Sequence, residues 1–452
     1  MRVSLVLLAF CLALSPALAQ TEPFALGADI SWIPEREASG VRYAHNGQVR
    51  DILDILKEHK FNYIRLRLFV DPTAGVPEDS ARALADAKGG TPWYASPYST
   101  KGYCGLDSTI KMAKRVKGAG MKFLLDFHYS DTWADPGKQY KPMSWRGLDF
   151  TQLTEKVRSY TKESLEKFKA NDVLPDMVQV GNEVVGGMIH PDGSTSNWNN
   201  FAALVNAGIK GVKDVDPNIK IMMHTISERN PNNWLTTLKA RLNQVEANAA
   251  NKIDVVGLSY YPMWHGDLDS LGRILSAISR SHDIKIAVVE YADKHREVND
   301  LVFALPENKR FGTFVWEPEE FSGDNSLPLF DWKNNRRETN SRISLYPVMS
   351  KDFGNDNTTG IIGNSGRFSA GNKSPNDFSV GRNGVVIYRS NEPGTVTIYT
   401  VQGRVAGRFG VKSPGTYDPA RFLRTPLRPG AYIVAIEPAN GVKQFFSGSV
   451  VK

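Results

Sequence analysis

Lys285-Ile286-Ala287-Val288-Val289-Glu290 is apolar on both faces and stops on a carboxylate. A strand with one wet face alternates polar and apolar residues, so this run fits a parallel sheet covered by helices. Met177-Val178-Gln179-Val180-Gly181-Asn182 is a second β-rich run and leads into Glu183. Six further β-rich runs follow the pattern: Ala25 to Ile30, Tyr63 to Phe69, Lys122 to His128, Lys220 to His224, Val255 to Tyr260 and Gly312 to Trp316. Amphipathic stretches separate them, including Val49 to His59, Leu106 to Lys117, Phe150 to Lys169 and Asn200 to Lys213. Within the first of these, Ile52, Ile55 and Leu56 form a face to lay against a sheet. Eight alternating units predict a (β/α)8 barrel. The competing α/β arrangement is an open doubly wound sheet, but no Gly-rich dinucleotide fingerprint follows the first strand.

A barrel of this kind gathers its chemistry at the carboxyl ends of its strands. The polar and aromatic residues cluster there: Arg65 and Arg67, Asp126 and His128, Asn182 and Glu183, His224, Tyr260 and Tyr261, Glu290, Trp316 and Glu317. Glu183 and Glu290, ending the fourth and seventh strands, would face each other across the mouth. Two opposed carboxyl groups are the equipment for cleaving a glycosidic bond. Asn182 beside Glu183 can bond a sugar 2-hydroxyl, which assigns Glu183 as acid/base and Glu290 as nucleophile, with Arg65 and Arg67 keeping the nucleophile ionised. An ordinary ion pair with those arginines is the plainer reading of either glutamate. His128 and His224 read as substrate contacts or as structural histidines. Trp133, Trp264 and Trp316 read as sugar-stacking surfaces or as core, and Tyr260 joins the substrate set. Asp107 and Asp254 read as a helix cap and a strand-edge residue.

Asp126, His128, Asp131 and His224 lack the spacing of a metal site, and no serine-nucleophile elbow is present, so neither cofactor nor metal is expected. Arg2, the apolar run Val3 to Leu14 and Ala17-Leu18-Ala19 read as a signal peptide over 1–19, and hence secretion. No other run is long and apolar enough to span a membrane. Cys11 leaves with that peptide, which leaves Cys104 and no internal disulfide. Of the formal charge of +7, the last 79 residues contribute most, with ten Lys/Arg against four Asp/Glu. The near-neutral remainder argues for an uncharged substrate rather than nucleic acid. A monomer is expected.

After a barrel domain over 20–350, the Gly, Asn, Ser and Thr of 351–373 read as a linker. Alternating runs such as Val385 to Tyr388, Val396 to Tyr399 and Tyr432 to Ala435 predict a small antiparallel β-sandwich over 374–452.

At Gly27-Ala28-Asp29-Ile30-Ser31-Trp32, Ile64-Arg65-Leu66-Arg67, Val180-Gly181-Asn182-Glu183, Gly257-Leu258-Ser259-Tyr260-Tyr261-Pro262 and the long string Asp126-Phe127-His128-Tyr129-Ser130-Asp131-Thr132-Trp133-Ala134-Asp135-Pro136, the chain resembles family 53 glycoside hydrolases, the endo-β-1,4-galactanases. The resemblance implies retaining endo-hydrolysis of β-1,4-galactan in pectin side chains by Glu183 and Glu290, with Asn182, His128, His224 and Trp316 at the substrate. Another β-1,4-glycanase, such as a mannanase, and a barrel that binds polysaccharide without cleaving it are the alternatives. The chain departs from the pattern after Glu290, where Tyr291-Ala292-Asp293 leads at once into a helix in place of a longer, sometimes calcium-bearing loop. The segments Val396 to Arg404 and Leu427 to Val434 resemble C-terminal sorting domains of type IX secretion, which implies a secretion-machinery partner. A carbohydrate-binding module is the other reading of this tail.

Overall fold

The structure, a computed structural model, describes residues 22–74, 97–320, 326–355, 378–380, 386–388, 393–400, 405–412, 415–417, 430–438 and 444–450. The expected signal segment and positions 356–373 of the expected linker lie outside the described residues. Eight parallel strands close into a barrel: β1 (Ala25–Asp29), β2 (Tyr63–Leu68), β3 (Lys122–Phe127), β4 (Met177–Val180), β5 (Lys220–Ile226), β6 (Val255–Ser259), β7 (Lys285–Tyr291) and β8 (Arg310–Trp316). Each strand pairs with its chain neighbours, and β1 closes the ring against β8 and β2.

Helices lie where the periodicity places them, with two shifted starts: the one expected from Asn200 begins at Trp198. The helix expected from Val49 begins at Ile52, because the Asp51 side chain accepts from the Leu53 N–H and caps it. Gln48–Arg50 is instead a short strand paired with Tyr43–His45. Phe150–Ala170 starts on a reciprocal capping box between Asp149 and Gln152. Asp107, expected as a cap, lies in the first turn of Leu106–Gly118, where Gly105 is the N-cap and the carboxylate faces the positive end of the helix dipole. Asp254 sits at its strand edge and accepts from the Ile221 N–H.

Inside the barrel the floor is apolar, made by Ala25, Tyr63, Leu124, Met177, Met222, Val255, Ala287, Val289 and Phe314. Side chains alternate along a strand, so the inward face two or four residues further on carries Asp29, Arg65, Asp126, Gln179, His224 and Ser259, all fully buried. Strand β7 breaks the alternation. Its register against β6 jumps from Leu258↔Val288 to Ser259↔Glu290, and against β8 from Val288↔Thr313 to Tyr291↔Val315. This bulge turns Glu290 inward after Val289 and sends Tyr291 outward to Tyr346 and Asn299. Gly257 on β6 leaves room for it, since a Cβ there would lie 2.7 Å from Val289 Cγ1.

Beneath the floor, Glu22 pairs with Lys122, Lys220 and Lys285 at the starts of β3, β5 and β7. Partial burial opposes its ionisation, but the lysines dominate and hold its carboxyl down at about 2. The barrel also keeps its chain beyond the expected boundary at 350. Helix Leu345–Asp352 continues into Phe353, which stacks on Phe303 at 4.2 Å, and Asn355 bonds both ways to the Phe24 backbone. The later residues form two antiparallel sheets. One joins Phe378–Val380, Val386–Tyr388 and Gly415–Tyr417; the other joins Val405–Val411, Gly394–Thr400, Gly430–Pro438 and Gln444–Val450. Among the described residues no helix is long and apolar enough to cross a membrane.

Candidate active site

At the end of β4 the chain turns sharply. Gly181 has φ +83°, where a Cβ would also meet Val184 Cγ1 at 2.7 Å. Glu183 itself sits in the left-handed region at φ 46°, ψ 44°. For a residue with a Cβ that conformation costs about 1–2 kcal/mol, strain held at a functional position by its surroundings. It presents the carboxyl to a cleft of about 620 Å³ lined by Trp133, Asn182, Tyr261, Trp264, Glu290 and Trp316, among others. The β7 bulge brings Glu290 to the same cleft, so that one oxygen of each glutamate and a His224 ring nitrogen lie within 4.8 Å of one another.

Arg65 organises everything beneath. Its guanidinium donates to Asp29 Oδ2 at 2.9 Å, to Asp126 Oδ2 and Asn182 Oδ1 at 2.8 Å and to Gln179 Oε1 at 3.2 Å. Nη1 also lies 2.8 Å from Glu290 Oε1 as an ion pair. The other Glu290 oxygen accepts from the Tyr261 hydroxyl at 3.3 Å and the Ser259 hydroxyl at 3.4 Å. Asn182 is locked, with its amide NH2 donating to the Ala134 carbonyl at 2.7 Å. His224 bridges the strands, with Nδ1 2.8 Å from Asn182 Oδ1 and Nε2 2.9 Å from Ser259 Oγ. Burial and then the Arg65 charge push its pKa well down, so the ring is neutral.

The two glutamates are electrostatically unequal. Burial raises Glu183 well above the usual carboxylic range, and the Glu290 charge raises it further. Burial raises Glu290 as well, but Arg65 opposes the rise. The first proton to leave therefore comes from Glu290, and Glu183 keeps its own, so that one carboxylate and one carboxylic acid face the same cleft.

Several expected site residues take other places. Arg67 does not reach Glu290. It lies beside Glu317 and Asp29, because on β2 it stands one inward step above Arg65 and on the β1/β8 side. Arg65, Arg67, His128 and His224 are all buried below the cleft wall. In His128, Nδ1 accepts from the Ala134 N–H at 3.1 Å and Nε2 lies 3.0 Å from Asp126 Oδ2, which leaves no nitrogen for a ligand. Tyr260 is fully buried and turned from the cleft, because the inward frame of β6 is Gly257, Ser259, Tyr261. The tyrosine on the cleft is Tyr261, which the inward frame could have indicated. Trp133 and Trp316 line one wall, 5.9 Å apart, and Trp264, about half exposed, stands edge-on to Tyr261 at 5.5 Å. Asp29, Gln179 and Ser259 join the site from below, and the one signal for them in the sequence is that each sits on an inward-facing phase of its strand.

The profile of Glycosyl hydrolase family 53 matches residues 25–300. An uncharacterized protein of Niallia circulans is 40% identical over 280 residues, covering 60% of this chain and 68% of that one. An endo-β-1,4-galactanase of Bacillus subtilis is 34% identical over 274 residues, covering 59% of this chain and 56% of its own length. Among solved structures, the catalytic domain of an Ignisphaera aggregans family 53 protein superposes with a TM-score of 0.60 at 30% identity, over 74% of this chain and 98% of that one.

Proposed function

The chain belongs to glycosyl hydrolase family 53, and on that premise we propose that it is a retaining endo-β-1,4-galactanase acting on the galactan and arabinogalactan side chains of pectin. The separation of the glutamates supports this most directly. Retaining enzymes hold their carboxyl groups at about 5–5.5 Å and inverting ones at about 6.5–9.5 Å, and an oxygen of Glu183 lying within 4.8 Å of one of Glu290 fits the closer arrangement. The name of the B. subtilis relative supports the substrate.

Glu183 donates its proton to the glycosidic oxygen while Glu290 attacks the anomeric carbon; the C–O bond breaks and a galactosyl ester forms on Glu290. Glu183, now a carboxylate, takes a proton from the water that attacks the same carbon, and the ester bond breaks. Arg65 and Tyr261 hold the Glu290 oxygens before attack and accept the charge returned on release. Asn182, fixed by Arg65 and Ala134, is placed for the sugar 2-hydroxyl. The tryptophans offer the apolar faces on which a pyranose stacks.

Reducing ends released from β-1,4-galactan, mannan and xylan in parallel test the substrate: galactan is cleaved, and cleavage of mannan alone overturns the assignment. The pH profile tests the roles. A falling pH protonates Glu290 and removes the attacking charge; a rising pH strips Glu183 and removes the acid, so kcat/KM is bell-shaped. On a substrate with a good leaving group, Glu183→Gln keeps the acidic limb and loses the alkaline one. Survival of the alkaline limb in that variant excludes Glu183 as the acid. The N-terminal run and the C-terminal sheets support export, with the tail engaging secretion machinery.

A further inference from the structure

Arg67 sits at the centre of an aromatic wall. Its Cζ lies 4.4 Å from the ring centroid of Trp133, 5.5 Å from Trp32 and 5.6 Å from Trp316. Trp32 meets Trp133 edge-on at 6.3 Å and donates its indole N–H to the Tyr98 hydroxyl, which also accepts from Arg67 Nη2 at 3.2 Å. Trp133 and Trp316, the rings that reach the cleft, thus share one buried cation behind them. A desolvated guanidinium against indole faces fixes ring position as well as attracting it.

The cation is held from below by Glu317, whose Oε1 accepts from Arg67 Nη1 at 2.6 Å. Glu317 Oε2 and both oxygens of Glu319 have no donor, although the residues are 1% and 0% exposed. Glu317 and Glu319 are two residues apart and both fully buried, and burial and then the Glu317 charge push the Glu319 carboxyl up. Two buried carboxylates two residues apart, with the nearest cation paired to Glu317 and already facing Asp29 and with three oxygens lacking a donor, are not both ionised; a single proton between them removes the repulsion and supplies a donor to Glu317.

We propose that Glu319 is a protonated acid that donates to Glu317, and that the Glu319–Glu317–Arg67 chain is a positioning device that fixes Trp133 and Trp316 as the sugar-stacking wall of the cleft. The inference rests on the cleft being a sugar site. It adds that the wall is set by a buried proton and not by packing alone. Glu317→Gln removes the negative charge facing Arg67, and Arg67→Lys keeps the charge but loses the planar fork. Both are expected to raise KM for galactan about tenfold with kcat changed by less than about threefold. Glu319→Gln replaces the acid by a neutral amide whose N–H still donates to Glu317, and is expected to keep KM well below that of Glu317→Gln.

Infrared spectroscopy gives a readout independent of activity. A protonated-carboxyl C=O stretch persists above pH 7 in the parent protein, and one component is lost in Glu319→Gln. If that band is unchanged in Glu319→Gln, or if Glu319→Gln raises KM as Glu317→Gln does, the proton assignment is wrong. If Arg67→Lys lowers kcat and leaves KM alone, the positioning role is wrong. Should Glu317→Gln fail to fold, Arg67→Lys and the band still decide. A parent protein that shows the band but cleaves no galactan sinks the functional reading and leaves the buried proton standing.

Discussion

Glu290→Ala is expected to lose galactan cleavage by on the order of 10⁴-fold or more, the scale on which removal of a covalent nucleophile disables an enzyme. Part of the activity is expected to return in azide. The small anion fills the space on the α face left by the carboxylate, and Glu183 still protonates the leaving oxygen, so the product is the α-galactosyl azide. Glu183→Ala behaves in mirror image. The galactosyl ester forms slowly, azide attacks it from the β face without needing a base, and the β-galactosyl azide results. Chromatography and proton NMR of the two products check the assignment. The same anomer from both variants, or undiminished cleavage by Glu290→Ala, removes the double-displacement mechanism.

Arg65→Met is expected to be the most destabilising single change in the barrel mouth. It leaves Asp29, Asp126 and Glu290 buried around an apolar chain, and withdraws the donor from Asn182 Oδ1. Breaking a buried ion pair by removing one partner costs about 3–5 kcal/mol, read as a fall in the urea midpoint at unchanged slope. The sign with pH follows from the carboxylates. Arg65 is the charge that opposes the burial of Glu290, so without it the pKa of the folded Glu290 carboxyl rises further, the folded state binds more protons than the unfolded one in mildly acidic solution, and the deficit is smaller near pH 5 than near pH 8. The acidic limb of kcat/KM moves up in the same variant because Glu290 ionises later. Arg65→Lys restores charge without the fork and recovers part of the loss. An Arg65→Met protein with the parent's midpoint at pH 8 contradicts this account.

The sequence makes the barrel readable because β7, covered on both sides, is apolar on both sides, and the eight β-rich runs that alternate with amphipathic stretches all close the ring. It makes Glu183 and Glu290 readable as strand-end carboxylates. It does not reveal how Glu290 comes to face inward. By simple alternation Ala287 and Val289 share the interior, which would point Glu290 at the helices; only the register jump against β6 and β8 reverses it. A register jump is a property of three strands at once, and its one trace in the chain, Gly257 opposite Val289, has meaning only when the neighbour is known. The same counting places Tyr261 rather than Tyr260 on the cleft. Arg67 was misplaced for a different reason: two arginines on one inward face look alike in sequence, and which carboxylate each meets depends on the strands across the barrel.

Asn355 is tied to Phe24, immediately before β1, so the barrel's two chain ends meet underneath, at the end away from the cleft. Whatever is joined after residue 355 is leashed from the underside. An anchor fixed there would hold the barrel with its mouth outward, and load on the leash would pull against Phe24 and Phe353 rather than across Glu183 and Glu290.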